Sequence, residues 1–280
     1  MTRSESSPAH LPSASPPEEG DGVVLDVTGG VATVRINRAR AMNALDTPTK
    51  DMLLRHLQHV AADPRVRCLV LTGTGRGFCV GQDLREHARL LQAGDDSLWT
   101  TVPRHFNPVV ALLATMGKPV VAAVNGVAAG AGAAFALAAD LRVMVDSGGM
   151  NLAFAGIGLS CDTGSSWTLP RLVGTAKAKE LLLLPRTVGA AECLELGLVT
   201  EVVPADRFDA AVGALAARLA AGPTLAYAAI RQALAFSAGH GLSESLAREA
   251  ELMAATGASA DHRHAVTAFL AKEQPTFTGR

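Results

Sequence analysis

Large aromatic side chains are scarce. One Tyr, two Trp and eight Phe are spread over 280 residues, so a core must be assembled mostly from Ala, Val and Leu. Cysteine is equally sparse. Cys68, Cys79, Cys161 and Cys193 stand far apart with no C-x-x-C pair, a spacing that suggests no disulfide framework. An excess of one charge is missing too: 25 Lys and Arg oppose 26 Asp and Glu, a formal net charge of −1. The basic footprint of a nucleic-acid binder is therefore absent. No stretch of 18 apolar residues is free of charge or of Pro and Gly clusters, so no transmembrane helix is expected. The first twenty residues lack a basic start followed by an apolar run, so no secretory signal is expected either. What is present is 49% hydrophobic residues, enough for one large or two small domains. The starting expectation is a soluble cytoplasmic protein with no membrane and no nucleic-acid partner.

Residues 1–20 hold four Pro and five Ser and almost no large apolar side chain. Such a segment buries too little to offset its ordering entropy and reads as a disordered tail. Val23–Val27 and Val31–Ile36 are β-rich runs around Thr28-Gly29-Gly30, which reads as a hairpin. Thr47-Pro48 opens a helix to about Ala61, with Pro at the first helical position, and Asp63-Pro64 stops it. Val66–Thr72, Pro119–Val124 and Leu141–Val145 are further strands, with a helix near Val109–Met116. Continuous apolar strands alternating with helices argue for an α/β fold with a mostly parallel, buried sheet. After Pro204 the pattern becomes helical, over Asp206–Ala221, Pro223–Ser237, Ser243–Thr256 and Ala260–Lys272. The expected organisation is a tail over 1–20, a core over 21–204 and a helical region over 205–280.

Three segments could carry chemistry. Gly73 to Leu84 and Asn125 to Ala134 are glycine-rich and each follows a strand. Small residues permit close approach to the backbone, and N–H groups at a helix start can hold an anion or a developing oxyanion. Tight turns and close packing explain the same glycines. A dinucleotide loop does so less well, because the first segment spaces them G-x-G-x-G. In the third segment, Gly156 to Trp167, Asp162 is a lone carboxylate that reads as a helix cap or as a proton-transfer group. Cys161 reads as a buried thiol or a nucleophile. His56 and His59, three apart on a helix, read as a solvated face or a metal face, and the absence of a Glu or Cys partner pattern favours the former. His87, Trp99, His105 and Phe106 read as substrate contacts or as packing.

In this order and spacing the three segments resemble the crotonase family, also called the enoyl-CoA hydratase/isomerase superfamily. Supporting pieces are Ile36-Asn37-Arg38 through Met42-Asn43-Ala44-Leu45, Lys118-Pro119-Val120 leading into Asn125-Gly126, Leu196-Gly197-Leu198-Val199, and Phe269-Leu270-Ala271-Lys272 with Phe277-Thr278-Gly279-Arg280. The resemblance implies a crotonase-like spiral of ββα units with a helical C-terminal trimerisation region, as a homotrimer or dimer of trimers. It implies an acyl-CoA thioester as substrate, with coenzyme A part of that substrate and no further cofactor or metal. It places two oxyanion-hole N–H donors on Val80 and Ala131. Arg38, Arg40, Met42, Ala44, Gln82, Asp83, Leu84, Gly130, Phe154 and Lys272 fall at CoA- or substrate-binding positions.

Hydratases of the family use two glutamates, whose positions here hold Ala134 and Phe154. Asp162 matches a third catalytic position, occupied by Asp in certain isomerases and dehalogenases. The dehalogenase positions for His and Trp hold Asn107 and Phe154. The resemblance is greatest to the phenylacetate-pathway isomerases, which handle a ring-epoxide acyl-CoA and shift enoyl double bonds. The resulting expectation is an acyl-CoA isomerase with Asp162 as acid and base, its pKa raised by apolar neighbours such as Phe154 and Trp167. The alternatives are a hydratase and a non-catalytic acyl-CoA- or RNA-binding protein.

Overall fold

The computed structural model describes residues 21–280; the tail expected over 1–20 lies outside the described residues. Strands in this region form two sheets. The larger runs β1 (Val23–Thr28), β2 (Val31–Ile36), β3 (Cys68–Gly73), β5 (Val120–Val124), β7 (Leu141–Val145) and β10 (Glu201–Val203) in that spatial order. The smaller runs β4 (Gly77–Cys79), β6 (Val127–Ala129), β8 (Gly149–Asn151) and β9 (Val188–Gly189). The β1–β2 hairpin and the β8–β9 pair are antiparallel, and every other pairing is parallel.

Helices connect and cover the sheets: α1 (Thr47–Ala62), α2 (Leu84–Gln92), α3 (Ser97–Thr101), α4 (Asn107–Thr115), α5 (Ala131–Ala138), α6 (Ser165–Leu183), α7 (Ala190–Glu195), α8 (Phe208–Ala221), α9 (Thr224–Ser237), α10 (Leu242–Gly257) and α11 (Ala260–Ala271). Successive strand pairs β3/β4, β5/β6 and β7/β8 each give their first member to the large sheet and their second to the small one. This repetition is the expected ββα spiral.

Alternation along the strands builds two cores. Leu69, Leu71, Val120, Ala122, Val124 and Met144 face inward with α1, α4 and α5. Cys68, Val70, Val121, Ala123, Val143 and Val145 face the other way, under Phe208, Val212, Ala216 and Ala220 of α8. Burial on both faces is why these strands read as continuous apolar runs. It also joins α8, the first helix of the C-terminal region, to the spiral core.

Several strand and helix boundaries shift by a residue or two from expectation. Thr47, not Pro48, is the first residue of α1, because Asp46 caps the helix by accepting from the Thr49 N–H and hydroxyl. The other end of α1 is closed by a buried cation. Lys118 Nζ donates to the Val60 and Asp63 carbonyls at 2.7 and 2.9 Å. Burial pushes this ammonium below its ordinary pKa, and Asp63 opposes the shift. Lys118→Met should leave two carbonyls without their donor and cost about 1–3 kcal/mol. Chemical denaturation of the variant beside the wild type measures it.

Candidate active site

The two glycine-rich segments converge. Gly81 has φ +81°, and a methyl group built on it would lie 3.0 Å from both the Ala129 carbonyl oxygen and the Ala131 nitrogen. The residue after Val80 therefore touches the residue that begins α5. A methyl group on Gly132 would lie 2.0 Å from the Cys79 carbonyl oxygen, so α5 rests directly on the end of β4. Ala131 is the first residue of α5, where an N–H has no acceptor inside the helix. Gly130 precedes it at φ +51°, ψ −125°, a conformation reserved in practice for glycine, and its own N–H is held by the Asn151 carbonyl. Val80 and Ala131 thus belong to the segments that meet where β4 ends and α5 begins.

Two asparagines hold the turn that leads to Val80. Asn43 is fully buried at φ +59°. Its Nδ2 donates to the Thr74 and Gly77 carbonyls, and its Oδ1 accepts from the Arg38 N–H. Asn125 Nδ2 donates to Gly75 and Gly77, while its Oδ1 accepts from the Gly73 N–H. The sequence marks both positions but does not disclose this clamp, because its partners are backbone groups distant along the chain. Leu45 extends the arrangement by pairing with Gln82, its N–H donating to Gly81 and its carbonyl accepting from Asp83.

Asp162 is half-buried, and its side chain is not a helix cap. The N-cap of α6 is Gly164, with no side-chain cap bond. The carboxylate instead accepts a 2.6 Å bond from the Thr163 hydroxyl. Thr163 is 1% exposed with φ +55°, and Gly164 follows at +73°. Two consecutive left-handed residues, one of them branched, mark a strained turn that fixes where the carboxylate can go. Burial raises the Asp162 pKa from its ordinary value of 3.8, and the Thr163 bond opposes the rise.

Phe154 is buried, but Trp167 is 45% exposed with its ring beneath Arg171, 4.3 Å from Cζ. Trp167 is therefore not the buried apolar wall that the sequence suggests. Ala134 is fully buried within α5. With Phe154 it leaves no proton-transfer group at either position that carries glutamate in hydratases of the resembled family.

If ionised Asp162 is the base, activity should fall as pH drops through a value above 3.8. A pH–rate profile locates that limb. A limb at the value of a solvated aspartate would separate the measured base from this buried carboxylate.

The expected binding residues separate by what they already hold. Arg38 bridges Asp46 at 2.9 Å and Asp83 at 3.0 Å. Asp83 caps α2 through the Arg85 and Glu86 N–H groups. Burial opposes its ionisation, yet bonds from the Glu86 N–H, Arg38 and the Arg85 N–H hold its pKa below the ordinary value. Arg38 and Asp83 are thus committed to scaffolding. Met42 has φ +53° and its methyl end lies against Gly77, and Ala44 is buried beside it. Arg40 and Lys272 are exposed cations, and Leu84 is exposed beyond the Gln82 turn. Arg38, Arg40 and Met52 share a surface cavity of about 380 Å³ with Asp21 and Asp46.

His105 is buried, with Nε2 3.1 Å from Asp51 and Nδ1 3.3 Å from Thr101. Trp99 is exposed and meets His87 edge-on at 6.2 Å. Among the described residues no group of three or more His, Cys, Asp or Glu could hold a metal ion. No described helix is long and apolar enough to cross a membrane.

Strand pairs that alternate between two sheets in a ββα spiral, with small-residue segments meeting where β4 ends and α5 begins, define the crotonase fold. The sequence profile of the enoyl-CoA hydratase/isomerase family matches residues 26–280, and the chain belongs to that family. It is 39% identical over 258 residues to the 1,2-epoxyphenylacetyl-CoA isomerase of Escherichia coli K12, covering 92% of this chain and 98% of that one. It is 40% identical over 255 residues to a Rhodobacter capsulatus protein named "Probable enoyl-CoA hydratase", covering 91% and 97%. Among solved structures, a Mycobacterium abscessus protein described as a candidate enoyl-CoA hydratase/isomerase superposes with a TM-score of 0.89 at 41% identity. That match covers 92% of this chain and 100% of the other.

Proposed function

We propose that the protein is an acyl-CoA isomerase of this family that moves a double bond along a thioester-activated chain. The observation that supports this reading is the presence of one half-buried carboxylate that caps no helix, Asp162, while Ala134 and Phe154 occupy the positions of the hydratase glutamates. Asp162 takes a proton from the carbon next to the thioester of a 3-enoyl-CoA. The electron pair delocalises onto the thioester oxygen, which accepts from the Val80 and Ala131 N–H groups. Asp162-H then returns the proton two carbons further on, giving the 2-enoyl-CoA. One group suffices because it is base in the first step and acid in the second. No atom is gained or lost, so the reaction needs no cofactor and coenzyme A enters only as part of the substrate.

In this reading Arg40 and Lys272 face the CoA phosphates, Arg38 and Asp83 brace the entry loop, and Met42, Ala44, Gln82, Leu84, Gly130 and Phe154 border the thioester and acyl chain. The assembly is a homotrimer or a dimer of trimers in the cytoplasm. Leu234, Leu242, Met253, Phe269 and Leu270 are each at least 70% exposed on the last three helices, an apolar surface that a second copy would cover. Sedimentation at several concentrations tests the assembly.

Incubation with a 3-enoyl-CoA and a 2-enoyl-CoA, followed by mass and absorbance, tests the reaction. Conversion at constant mass supports isomerisation. A gain of one water overturns it in favour of a hydratase, and binding without conversion does so in favour of an acyl-CoA carrier.

A further inference from the structure

A buried lysine lies beneath the turn that carries Val80, and the reaction described above makes no use of it. Lys50 of α1 is 3% exposed. Its ammonium donates to Gln82 Oε1 at 3.1 Å and to Thr101 Oγ1 at 2.8 Å, and it lies 3.6 Å from Glu86 Oε2. These partners come from three separate places: the turn two residues after Val80, helix α2 and helix α3. Glu86 joins them, its Oε1 accepting from the Thr47 N–H and its Oε2 from Gln82 Nε2. On the far side the Thr101 hydroxyl reaches His105 Nδ1, and His105 Nε2 reaches Asp51. The Phe106 ring lies 5.8 Å from Nζ and closes the apolar side.

Burying an ammonium is costly unless each of its protons has an acceptor. Here the two hydrogen-bond acceptors come from the Gln82 turn and α3 and the counter-ion Glu86 from α2, so the cation is matched only when those elements are seated on α1.

We propose that Lys50 is a positioning residue for the first oxyanion donor: by holding Gln82 and Thr101 at once, it fixes the Val80–Gln82 turn and its α2–α3 cover against α1. The inference rests on the reading that the Val80 N–H receives the thioester oxygen. The consequence is confined to alignment. A misplacement of about 1 Å at a catalytic donor can cost about 100-fold in rate. Binding of the CoA moiety, held elsewhere, changes little.

The test uses the full-length protein and butyryl-CoA labelled with carbon-13 at the thioester carbonyl, a saturated probe that has no double bond to move. Isotope-edited infrared spectroscopy reads the carbonyl stretch of the bound probe, which two aligned donors shift to lower frequency. The double variant Lys50→Met/Glu86→Gln removes the cation without leaving its carboxylate buried alone. It should lose most of the shift and lower kcat on a 3-enoyl-CoA by roughly 10- to 100-fold, with KM nearly unchanged.

Thr101→Val, which removes one acceptor at constant size, should fall between this variant and the wild type. It carries the test if the double variant does not fold. A folded variant with the wild-type carbonyl shift and kcat overturns the proposal. A wild-type protein that binds the probe without any shift overturns the oxyanion-hole reading, and the role of Lys50 with it.

Discussion

Asp162→Asn is expected to lower kcat for double-bond migration by about 10⁴-fold, the upper end of what one acid–base group contributes, because in the proposed mechanism a single side chain performs both proton transfers. Acyl-CoA affinity, measured by calorimetry, should be almost unchanged, since the amide donors and the CoA contacts remain. The same substitution should make the folded protein more resistant to denaturant near neutral pH. The folded-state pKa of Asp162 is raised, so between 3.8 and that raised value the native state holds more proton than the unfolded chain. Stability therefore falls as pH rises through this window and stays reduced above it. Asparagine carries no such penalty, and its advantage should shrink as the pH is lowered. Turnover at the wild-type level in Asp162→Asn would remove this carboxylate from the mechanism.

Gly132→Ala is the other large expected effect, and it acts through sterics alone. The added methyl group would stand 2.0 Å from the Cys79 carbonyl oxygen and 2.8 Å from its Cβ, well inside any real contact. No flexible side chain is available to move, because the obstacle is backbone. Helix α5 must lift away from β4, and the Ala131 N–H moves with it. A loss of about 3 kcal/mol or more is expected, at or beyond the usual cost of overpacking, together with loss of activity in whatever fraction still folds. Gly130→Ala provides the contrast. Nothing lies within 4 Å of its added methyl group, so its cost comes from backbone strain at φ +51° rather than from collision. Denaturant titration of the two variants separates these causes.

The sequence displays the large sheet clearly, since strands buried on both faces must be apolar throughout. Leu141–Val145 appears in the structure at its expected limits, and the β1–β2 hairpin lies within one residue of its own. The small sheet is almost invisible in the sequence. Gly77–Cys79, Val127–Ala129 and Gly149–Asn151 are three residues each, too short to show a period and composed of the small residues that also make turns. Helix α2 is hidden for a different reason. Its residues Leu84–Gln92 include none that is buried, so its start is set by the Asp83 cap rather than by an apolar face.

At the site, residue-by-residue matching singles out Val80 and Ala131. It does not reveal that Arg38 and Asp83 bind each other, nor that Asp162 leaves the capping of α6 to Gly164. Both depend on where side chains turn after the backbone is laid down. Lys50 carries no sequence signal at all. It sits among polar neighbours on an ordinary amphipathic helix, and only tertiary structure encloses it.

The amide pair and the carboxylate are held by unrelated means. The former is seated by glycine contacts between β4 and α5, while the latter stands on the Thr163–Gly164 turn outside both sheets. Each can therefore change without disturbing the other. Under the proposed mechanism the fold keeps a permanent anion receptor and lets an interchangeable turn decide what is done with the charge, so new chemistry can evolve here by altering a few side chains on one loop.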